Sequence, residues 1–285
     1  MNVAAMPGRS MTQPFGAPAV RGAAAGCDWL TLQPGQVDIW VVAVGDVPEA
    51  ALAAQYDTVL TEDERRQHGK FMFEKDRRRY LVTRSLTRYV LSRYLPVPPN
   101  QWEFVPTAYG RPTIANCHPD VDDLVFNISH SDGTVVLGLT RGAELGIDVE
   151  DIRRSVPVDV ADSFFSRDEV RQLRALPAAM QPRRFLDFWT LKESYIKARG
   201  KGLSLPLDKF GFDLERGSGV AAYFDAELDD APRSWTFWQW QPGPDSIAAL
   251  CVRNGAAARR ITVRRAIPFV REEMMAFDVI RMSTA

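Results

Sequence analysis

Hydrophobic residues in this chain fall into short apolar runs, which predict buried β-strands. Val37–Val44 is the first of them and is rich in valine. Similar runs predict further strands at Leu124–Ser129, Thr134–Thr140, Leu145–Glu150, Phe210–Leu214, Ser234–Gln241, Ile247–Val252 and Ile261–Arg265. The predicted strands are spread along the chain and are not gathered in one part of it.

Two longer segments have helical periodicity instead. Between Lys75 and Leu95, apolar residues recur three and four positions apart, and Pro96 follows the last of them. The second segment, Pro182–Arg199, also has an apolar face. It is followed by Gly200, and glycine often ends helices. Helices and strands therefore occur in both parts of the chain, which indicates an α+β fold.

Two shorter helices are predicted from their first residues. Thr61 is followed three positions later by Glu64, and Ser166 by Glu169. A hydroxyl side chain and a glutamate at this spacing cap each other's backbone N–H groups. We expect a helix to begin after Thr61 and another after Ser166.

Composition excludes several classes of protein. The 285 residues are 46% hydrophobic and 25% charged, which is typical of a soluble globular protein. The formal net charge of −1 gives no overall attraction to nucleic acid or to an anionic membrane. The three cysteines are widely spaced and show no zinc pattern, so we expect reduced thiols in the cytoplasm. No apolar run reaches the length of a membrane span, and residues 1–27 are expected to form a flexible extension.

Asp148 and Glu150 lie two positions apart on a predicted strand, so their side chains point to the same face. Two neighbouring carboxylates repel each other unless a proton or a cation lies between them. A divalent metal ion with oxygen ligands would remove that repulsion. The alternative is an ordinary polar strand face, and the pair alone does not decide between the two.

Glu193 lies between Lys192 and Lys197 on the second long helix. Glu193 and Lys197 fit a surface ion pair at i,i+4 spacing, worth about 0.3–0.5 kcal/mol. Their position near Trp189 and before a Gly-Lys-Gly segment favours a second interpretation. Carboxylates and lysines together suit a pyrophosphate with Mg²⁺, which binds few protein carboxylates and completes its coordination with phosphates.

Ser129 and His130 end a predicted strand just before a turn. A single histidine is more often structural than catalytic. The sequence around Ser129 is not a nucleophile elbow, and no Walker A or dinucleotide glycine motif occurs. Hydrogen bonding to a phosphate is the remaining functional interpretation of these two side chains.

Several blocks of sequence then occur in a definite order. They are Phe126–Ser131 (FNISHS), Gly146–Glu150 (GIDVE), Phe188–Lys197 (FWTLKESYIK) and Gly200–Leu207 (GKGLSLPL). In this order they resemble the Sfp-type 4'-phosphopantetheinyl transferases, which activate peptide and polyketide synthases. The resemblance extends from about Thr61 to about Leu214.

The resemblance implies roles for the matching residues. Asp148, Glu150 and Glu193 would hold Mg²⁺ together with the pyrophosphate of coenzyme A. Val149 separates the first two, so any third direct protein ligand would be Glu193, with water completing the coordination. Asp148, Glu193 and Lys197 would form the catalytic set.

Basic and polar residues would bind the phosphates of coenzyme A. In the resemblance, Ser129 and His130 contact phosphates, and Lys192 and Lys197 neutralise the pyrophosphate. Arg79 matches the arginine that holds the 3'-phosphate.

Arg111 stands in Tyr-Gly-Arg-Pro where many family members have lysine, and a phosphate-binding role is expected to survive that change. Arg66 and Lys70 are the candidates for the more N-terminal basic contacts.

The resemblance also implies an α/β sandwich-like fold with two similar halves related by a pseudo-twofold axis. Residues 28–143 would form the N-terminal half, with the Ser-His pair, and residues 144–285 the C-terminal half, with the carboxylates. The active site would lie in the cleft between them. We expect a monomer that binds neither nucleic acid nor membrane.

The implied reaction is attack by a serine of an apo acyl or peptidyl carrier protein on the β-phosphate of coenzyme A, with release of 3',5'-ADP. Glu193 would accept the serine proton, directly or through a metal-bound water, and Lys197 would stabilise the departing oxyanion. The stretch after Val156, with Phe164 and Phe165, is a candidate carrier surface, although core packing is expected for at least one of the two rings. The alternatives are a Mg²⁺-dependent hydrolase of coenzyme A and a non-catalytic binding protein.

Overall fold

The structure is a computed structural model that describes residues 29–215, 217–253 and 260–283. The predicted N-terminal extension lies outside these residues. Cys117 and Cys251, the two cysteines within them, are both free thiols. Within the described segments, no helix combines the length and apolarity needed to cross a membrane.

Six α-helices and thirteen strands occur in the described residues, joined by short 3-10 turns. The helices are α1 (Glu49–Thr58), α2 (Glu62–His68), α3 (Glu74–Tyr94), α4 (Ala161–Phe164), α5 (Arg167–Arg174) and α6 (Gln181–Arg199). The strands are β1 (Gln36–Ala43), β2 (Phe104–Pro106), β3 (Pro112–Ile114), β4 (Leu124–His130), β5 (Thr134–Arg141), β6 (Leu145–Asp151), β7 (Phe210–Asp213), β8 (Gly219–Phe224), β9 (Trp235–Trp240), β10 (Ser246–Arg253), β11 (Arg260–Ile267), β12 (Arg271–Met275) and β13 (Val279–Ser283). This confirms the predicted α+β class.

Two large sheets form the body of the molecule. The first has the order β12-β11-β1-β5-β4, and the second has the order β6-β10-β9-β13-β8-β7. A small hairpin of β2 and β3 lies apart from both. Strand β11 pairs in parallel with β1, so the chain returns to the first sheet after building most of the second. Strands β11 and β12, which fall in the range 144–285 predicted for the C-terminal half, thus belong to the first sheet.

Alternating side chains place the two sheets face to face between two long helices. On β1, Val37, Ile39 and Val41 pack against residues of β6 and β10 in a core shared by the sheets. Trp40 and Val42 point the other way, into the core beneath α3. A third core lies between the second sheet and α6. The resulting order is helix, sheet, sheet, helix, so each half has one long helix on the outer face of its sheet.

Both capping boxes predicted from sequence are present. Thr61 accepts a hydrogen bond from the backbone N–H of Glu64, and the Glu64 side chain accepts one from the Thr61 backbone. Ser166 and Glu169 do the same at the start of α5. Local sequence alone specifies these helix starts, because both partners lie within one turn.

Helix α6 lies very close to β6, and Gly146 makes this approach possible. A Cβ atom at Gly146 would overlap the carbonyl oxygen of Ser194 and the backbone nitrogen of Ala198. Just beyond this contact the helix stops at Gly200, which adopts the left-handed conformation with φ 64°. These two glycines fix where the side chains of α6 meet β6.

Substitution of Gly146 by alanine tests this contact. The new methyl group meets helix backbone, which cannot rotate away, so we expect a loss of about 1–3 kcal/mol in the free energy of unfolding. Urea denaturation measures the change. Gly133→Ala is the control, because no atom lies within 4 Å of a Cβ built there. Equal stability of the two variants would contradict the close packing of α6 on β6.

Candidate active site

A cleft of about 440 Å³ opens where α3, β4, β6 and α6 come together. Its walls contain most of the site residues predicted from sequence, namely Arg79, Ser129, His130, Asp148, Glu150, Glu193 and Lys197. Ser129 and His130 come from the first sheet, whereas Asp148 and Glu150 come from the second. The cleft therefore joins residues from both halves.

Asp148 is at the centre of this cleft, with only 5% of its surface exposed. Its Oδ1 accepts hydrogen bonds from Ser129 Oγ at 2.9 Å and from Lys197 Nζ at 2.7 Å. Lys197 Nζ also donates to Ser129 Oγ at 2.7 Å. The three side chains form a closed triangle that connects β4, β6 and α6.

The second oxygen of Asp148 is unusual. Oδ2 is buried and has no hydrogen-bond partner among the described residues. An unpaired buried polar atom costs about 1–3 kcal/mol, so such atoms are uncommon in folded proteins. This oxygen is a position at which a cation or a hydrogen-bond donor would be stabilised.

Two more carboxyl groups share the cleft with Asp148. Burial raises the pKa of Glu150 to about 7, and the negative charge of Asp148 adds to the shift while Arg154, at 3.0 Å, opposes it. Burial also raises the pKa of Glu193, again with a contribution from Asp148. The cleft thus holds three carboxyl groups close together where water solvates them poorly, and this disfavours their ionised forms.

These carboxylates fit a divalent cation in chemistry. Mg²⁺ prefers oxygen ligands, and a cation would relieve both the repulsion among the acids and the unpaired Asp148 Oδ2. In the part of the chain that the structure describes, however, no three His, Cys, Asp or Glu side chains already stand at metal-binding positions. Asp148, Glu150 and Glu193 share one cleft without forming a closed coordination shell.

Basic side chains line the same cleft. Arg79, on α3, donates to Asp76 and to Asp132, at 2.7 Å each. His130 faces the same space, and its pKa is lowered by partial burial and then by the positive charge of Arg79. With Lys197 these residues offer an anion three donors within one cleft.

Lys192 does not line this cleft, contrary to the prediction. Its ammonium group is fully buried, lies 2.8 Å from Glu169 and donates to the carbonyl oxygens of Leu207 and Phe210. The reason is helical geometry. Glu193 and Lys197 are four residues apart and share a face of α6, whereas Lys192 and Lys197 are five apart and point about 140° from each other. Lys192 binds the start of β7 instead.

Arg111 also departs from the prediction. Its guanidinium donates to the carbonyl oxygens of Lys197, Ala198 and Phe126. It lines a neighbouring apolar cleft of about 490 Å³ but not the cleft that contains the carboxylates. Arg66 is exposed and paired with Asp63, and neither it nor Lys70 lines the carboxylate cleft.

Other residues of the site were not found from sequence. Tyr80 and Arg84 of α3 line the cleft, as does Trp189 of α6. Trp189 lies within the block Phe188–Lys197 but has no predicted role in the site, and no local motif marks the other two. Their position depends on how α3 crosses the first sheet.

The two phenylalanines considered for a carrier surface differ in burial. Phe165 belongs to the core beneath α6, whereas Phe164 is 39% exposed and packs edge-on against Trp189 at 6.3 Å. This agrees with the expectation that at least one of them is a core residue. Phe164 lines the apolar cleft next to Glu193 and Lys197.

Comparison of the sequence with known proteins identifies its family. A family model described as "4'-phosphopantetheinyl transferase superfamily" matches residues 144–252, and one described as "4'-phosphopantetheinyl transferase, N-terminal" matches residues 48–140. The chain therefore resembles this family on both sides of its cleft.

Individual relatives agree. The 4'-phosphopantetheinyl transferase HetI of Nostoc sp. is 31% identical over 224 residues, covering 78% of this chain and 90% of the relative. Sfp of Bacillus subtilis is 31% identical over 209 residues, covering 73% and 89%. A phosphopantetheinyl transferase of Thraustochytrium sp. is 32% identical over 250 residues, covering 81% and 85%. The chain belongs to the 4'-phosphopantetheinyl transferase family and is an enzyme of that class.

Replacement of Lys192 tests its structural assignment. Lys192→Met would leave the buried carboxylate of Glu169 unpaired, so we expect the free energy of unfolding to fall by about 3–5 kcal/mol. Urea denaturation provides the measurement. Lys201→Met, at an exposed lysine of the same segment, should change stability by no more than about 0.5 kcal/mol. An unchanged stability of Lys192→Met together with weaker binding of coenzyme A would contradict this assignment.

Proposed function

We propose that this enzyme transfers the 4'-phosphopantetheine group of coenzyme A to a serine of an apo acyl or peptidyl carrier protein, in a Mg²⁺-dependent reaction that releases 3',5'-ADP. Membership of the transferase family supports the type of reaction. The cleft supports the substrate, because carboxylates and basic side chains line it together. We further propose that the enzyme acts as a cytoplasmic monomer.

The observation that best supports this proposal is the arrangement around Asp148. Lys197 is held beside a carboxylate whose other oxygen lacks a partner. A pyrophosphate entering the cleft would give Lys197 a second anionic partner without moving the helix. Lys197 would then stabilise negative charge on the departing 3',5'-ADP.

Asp148, Glu150 and Glu193 are the residues that would hold Mg²⁺. Bound there, the ion would offset the negative charge that develops on the pyrophosphate. The unpaired Asp148 Oδ2 supports Asp148 as the principal ligand, and the raised pKa values of Glu150 and Glu193 support a local excess of negative charge.

Glu193 is our candidate for the group that accepts the proton of the carrier serine. Its pKa is raised by burial and by the negative charge of Asp148, which makes it a stronger base than an exposed glutamate. It also lines both the carboxylate cleft and the apolar cleft beside it. A substrate in either cleft would therefore reach Glu193.

His130 and Arg79 would bind the remaining phosphate charge of coenzyme A. Both line the cleft, and Arg79 is held in place by Asp76 and Asp132. Ser129 already accepts a hydrogen bond from Lys197, so its main effect would be to orient that lysine.

The test is to incubate the protein with coenzyme A, Mg²⁺ and a panel of apo carrier proteins and to record intact masses. We expect one carrier to gain the mass of a single phosphopantetheine group. EDTA should abolish the gain. Glu193→Gln should slow it by about 10²–10⁴-fold, the usual contribution of a general base. Glu215→Gln, at an exposed glutamate outside the cleft, is the control and should be unaffected.

The other outcomes contradict the proposal in different ways. Cleavage of coenzyme A without a mass gain on any carrier would indicate hydrolysis by water. Coenzyme A that is bound but never cleaved would indicate a binding protein. Full activity of Glu193→Gln would exclude Glu193 as the base and leave the transferase assignment intact.

A further inference from the structure

The side chain of Arg111 forms hydrogen bonds with both halves of the molecule. It follows the turn at Gly110 and immediately precedes β3, in the first half of the chain. Its Nη1 donates to the carbonyl oxygens of Lys197, at 3.2 Å, and Ala198, at 3.4 Å. Its Nη2 donates to the carbonyl oxygen of Phe126 on β4, at 3.0 Å. One guanidinium thus joins β4 to the end of α6.

The end of α6 needs such a partner. The last carbonyl groups of a helix have no N–H donors within the helix, and they carry the negative end of its dipole. The backbone N–H of Gly200 donates to the carbonyl oxygens of Ile196 and Lys197. Arg111 supplies a cation and two further hydrogen bonds at the same end. Although burial lowers its pKa, arginine remains protonated in proteins.

Residues of the first half consequently bind Lys197 through both its backbone and its side chain. Its carbonyl oxygen is bound by Arg111, and its ammonium group is bound by Ser129 of β4. On the second half, Asp148 binds the same ammonium group, and Gly146 sets the distance between α6 and β6. If Arg111 were removed, the backbone of the last turn of α6 would lose this link to β4, and Lys197 lies in that turn.

We propose that Arg111 is a positioning residue for Lys197 and does not bind the phosphates of coenzyme A. This inference rests on the proposed function, because Lys197 matters through its action on the pyrophosphate. It predicts that loss of Arg111 slows the transfer step and leaves the binding of coenzyme A almost unchanged. A phosphate ligand would give the opposite result.

The geometry also distinguishes arginine from lysine at this position. The three carbonyl oxygens lie on two different elements, and the planar guanidinium reaches them through two separate nitrogens. A lysine has a single nitrogen on a flexible stem, so it would bind fewer of them at once. Arg111→Lys should therefore rescue only part of the activity that Arg111→Met loses.

The experiment compares wild type, Arg111→Met and Arg111→Lys in carrier loading. For Arg111→Met we expect kcat to fall about 10- to 100-fold, as displacement of a reacting group by about 1 Å can produce. We expect KM for coenzyme A, and its Kd by calorimetry, to stay within about twofold, because no phosphate contact is lost. Arg111→Lys should have an intermediate kcat with the same KM.

Arg78→Met is the matched control. Arg78 is also a partly buried arginine that donates to carbonyl oxygens, but these belong to Val44 and Val47 and not to α6, and Arg78 does not line the cleft. It should lower the Tm without lowering kcat. This separates the positioning role from a general loss of stability. If Arg111→Met does not fold, Arg111→Lys provides the same comparison.

A second measurement does not depend on turnover. The Cε resonance of Lys197, assigned with Lys197→Met, should shift in an NMR spectrum of Arg111→Lys, because the ammonium group changes its contacts with Ser129 and Asp148. A raised KM and Kd for coenzyme A with unchanged kcat would overturn the inference, as would kinetics and a Lys197 resonance equal to those of wild type. Failure of the wild type to load any carrier would instead contradict the proposed function, and the Lys197 resonance would still decide the role of Arg111.

Discussion

The contact of Lys197 with Asp148 and Ser129 joins the two halves of this molecule inside the cleft. Lys197 comes from α6, Asp148 from β6 in the second sheet and Ser129 from β4 in the first. The three hydrogen bonds form only if all three side chains are correctly placed. The position of α6 on the second sheet must therefore match the position of the first sheet against the second. Gly146 on one side of the helix and Arg111 at its end enforce that agreement. The cores on either side of the junction supply the apolar burial that holds it in place.

The same constraint explains why neighbouring basic residues on one helix have different roles. Lys197 shares a helix face with Glu193, and this face is turned to the cleft. Lys192 lies on another face and meets Glu169 in the core, where it binds α6 to the start of β7. Burying this pair has a desolvation cost, and the hydrogen bonds to Leu207 and Phe210 offset part of it. One lysine thus stabilises the helix that presents the other.

Much of the fold follows from the sequence because its signals are local. The buried strands β1, β4, β5, β6 and β10 are rich in apolar residues, and the starts of α2 and α5 are specified by capping boxes. Strand β12 was missed because it is a polar edge strand, with the sequence REEMM. The return of β11 to the first sheet was missed because pairing partners far apart in sequence leave no local pattern. The structure brings the residues that motif order singled out together in one cleft, except Lys192 and Arg111, which lie outside it. A motif shows which residues are present but not which face of a helix points to the ligand, and that distinction separates Lys192 from Lys197.

We propose that Asp148 allows a divalent cation and coenzyme A to bind together. The most direct test is calorimetric titration of coenzyme A into the wild type and into Asp148→Asn, with and without Mg²⁺, with Asp168→Asn on the exposed surface of α5 as the control. We predict that Mg²⁺ tightens coenzyme A binding to the wild type and to the control by at least about tenfold, a typical coupling between two linked ligands, and that Asp148→Asn removes this effect. Equal affinity for coenzyme A with and without Mg²⁺ in the wild type, or undiminished coupling in Asp148→Asn, would contradict it.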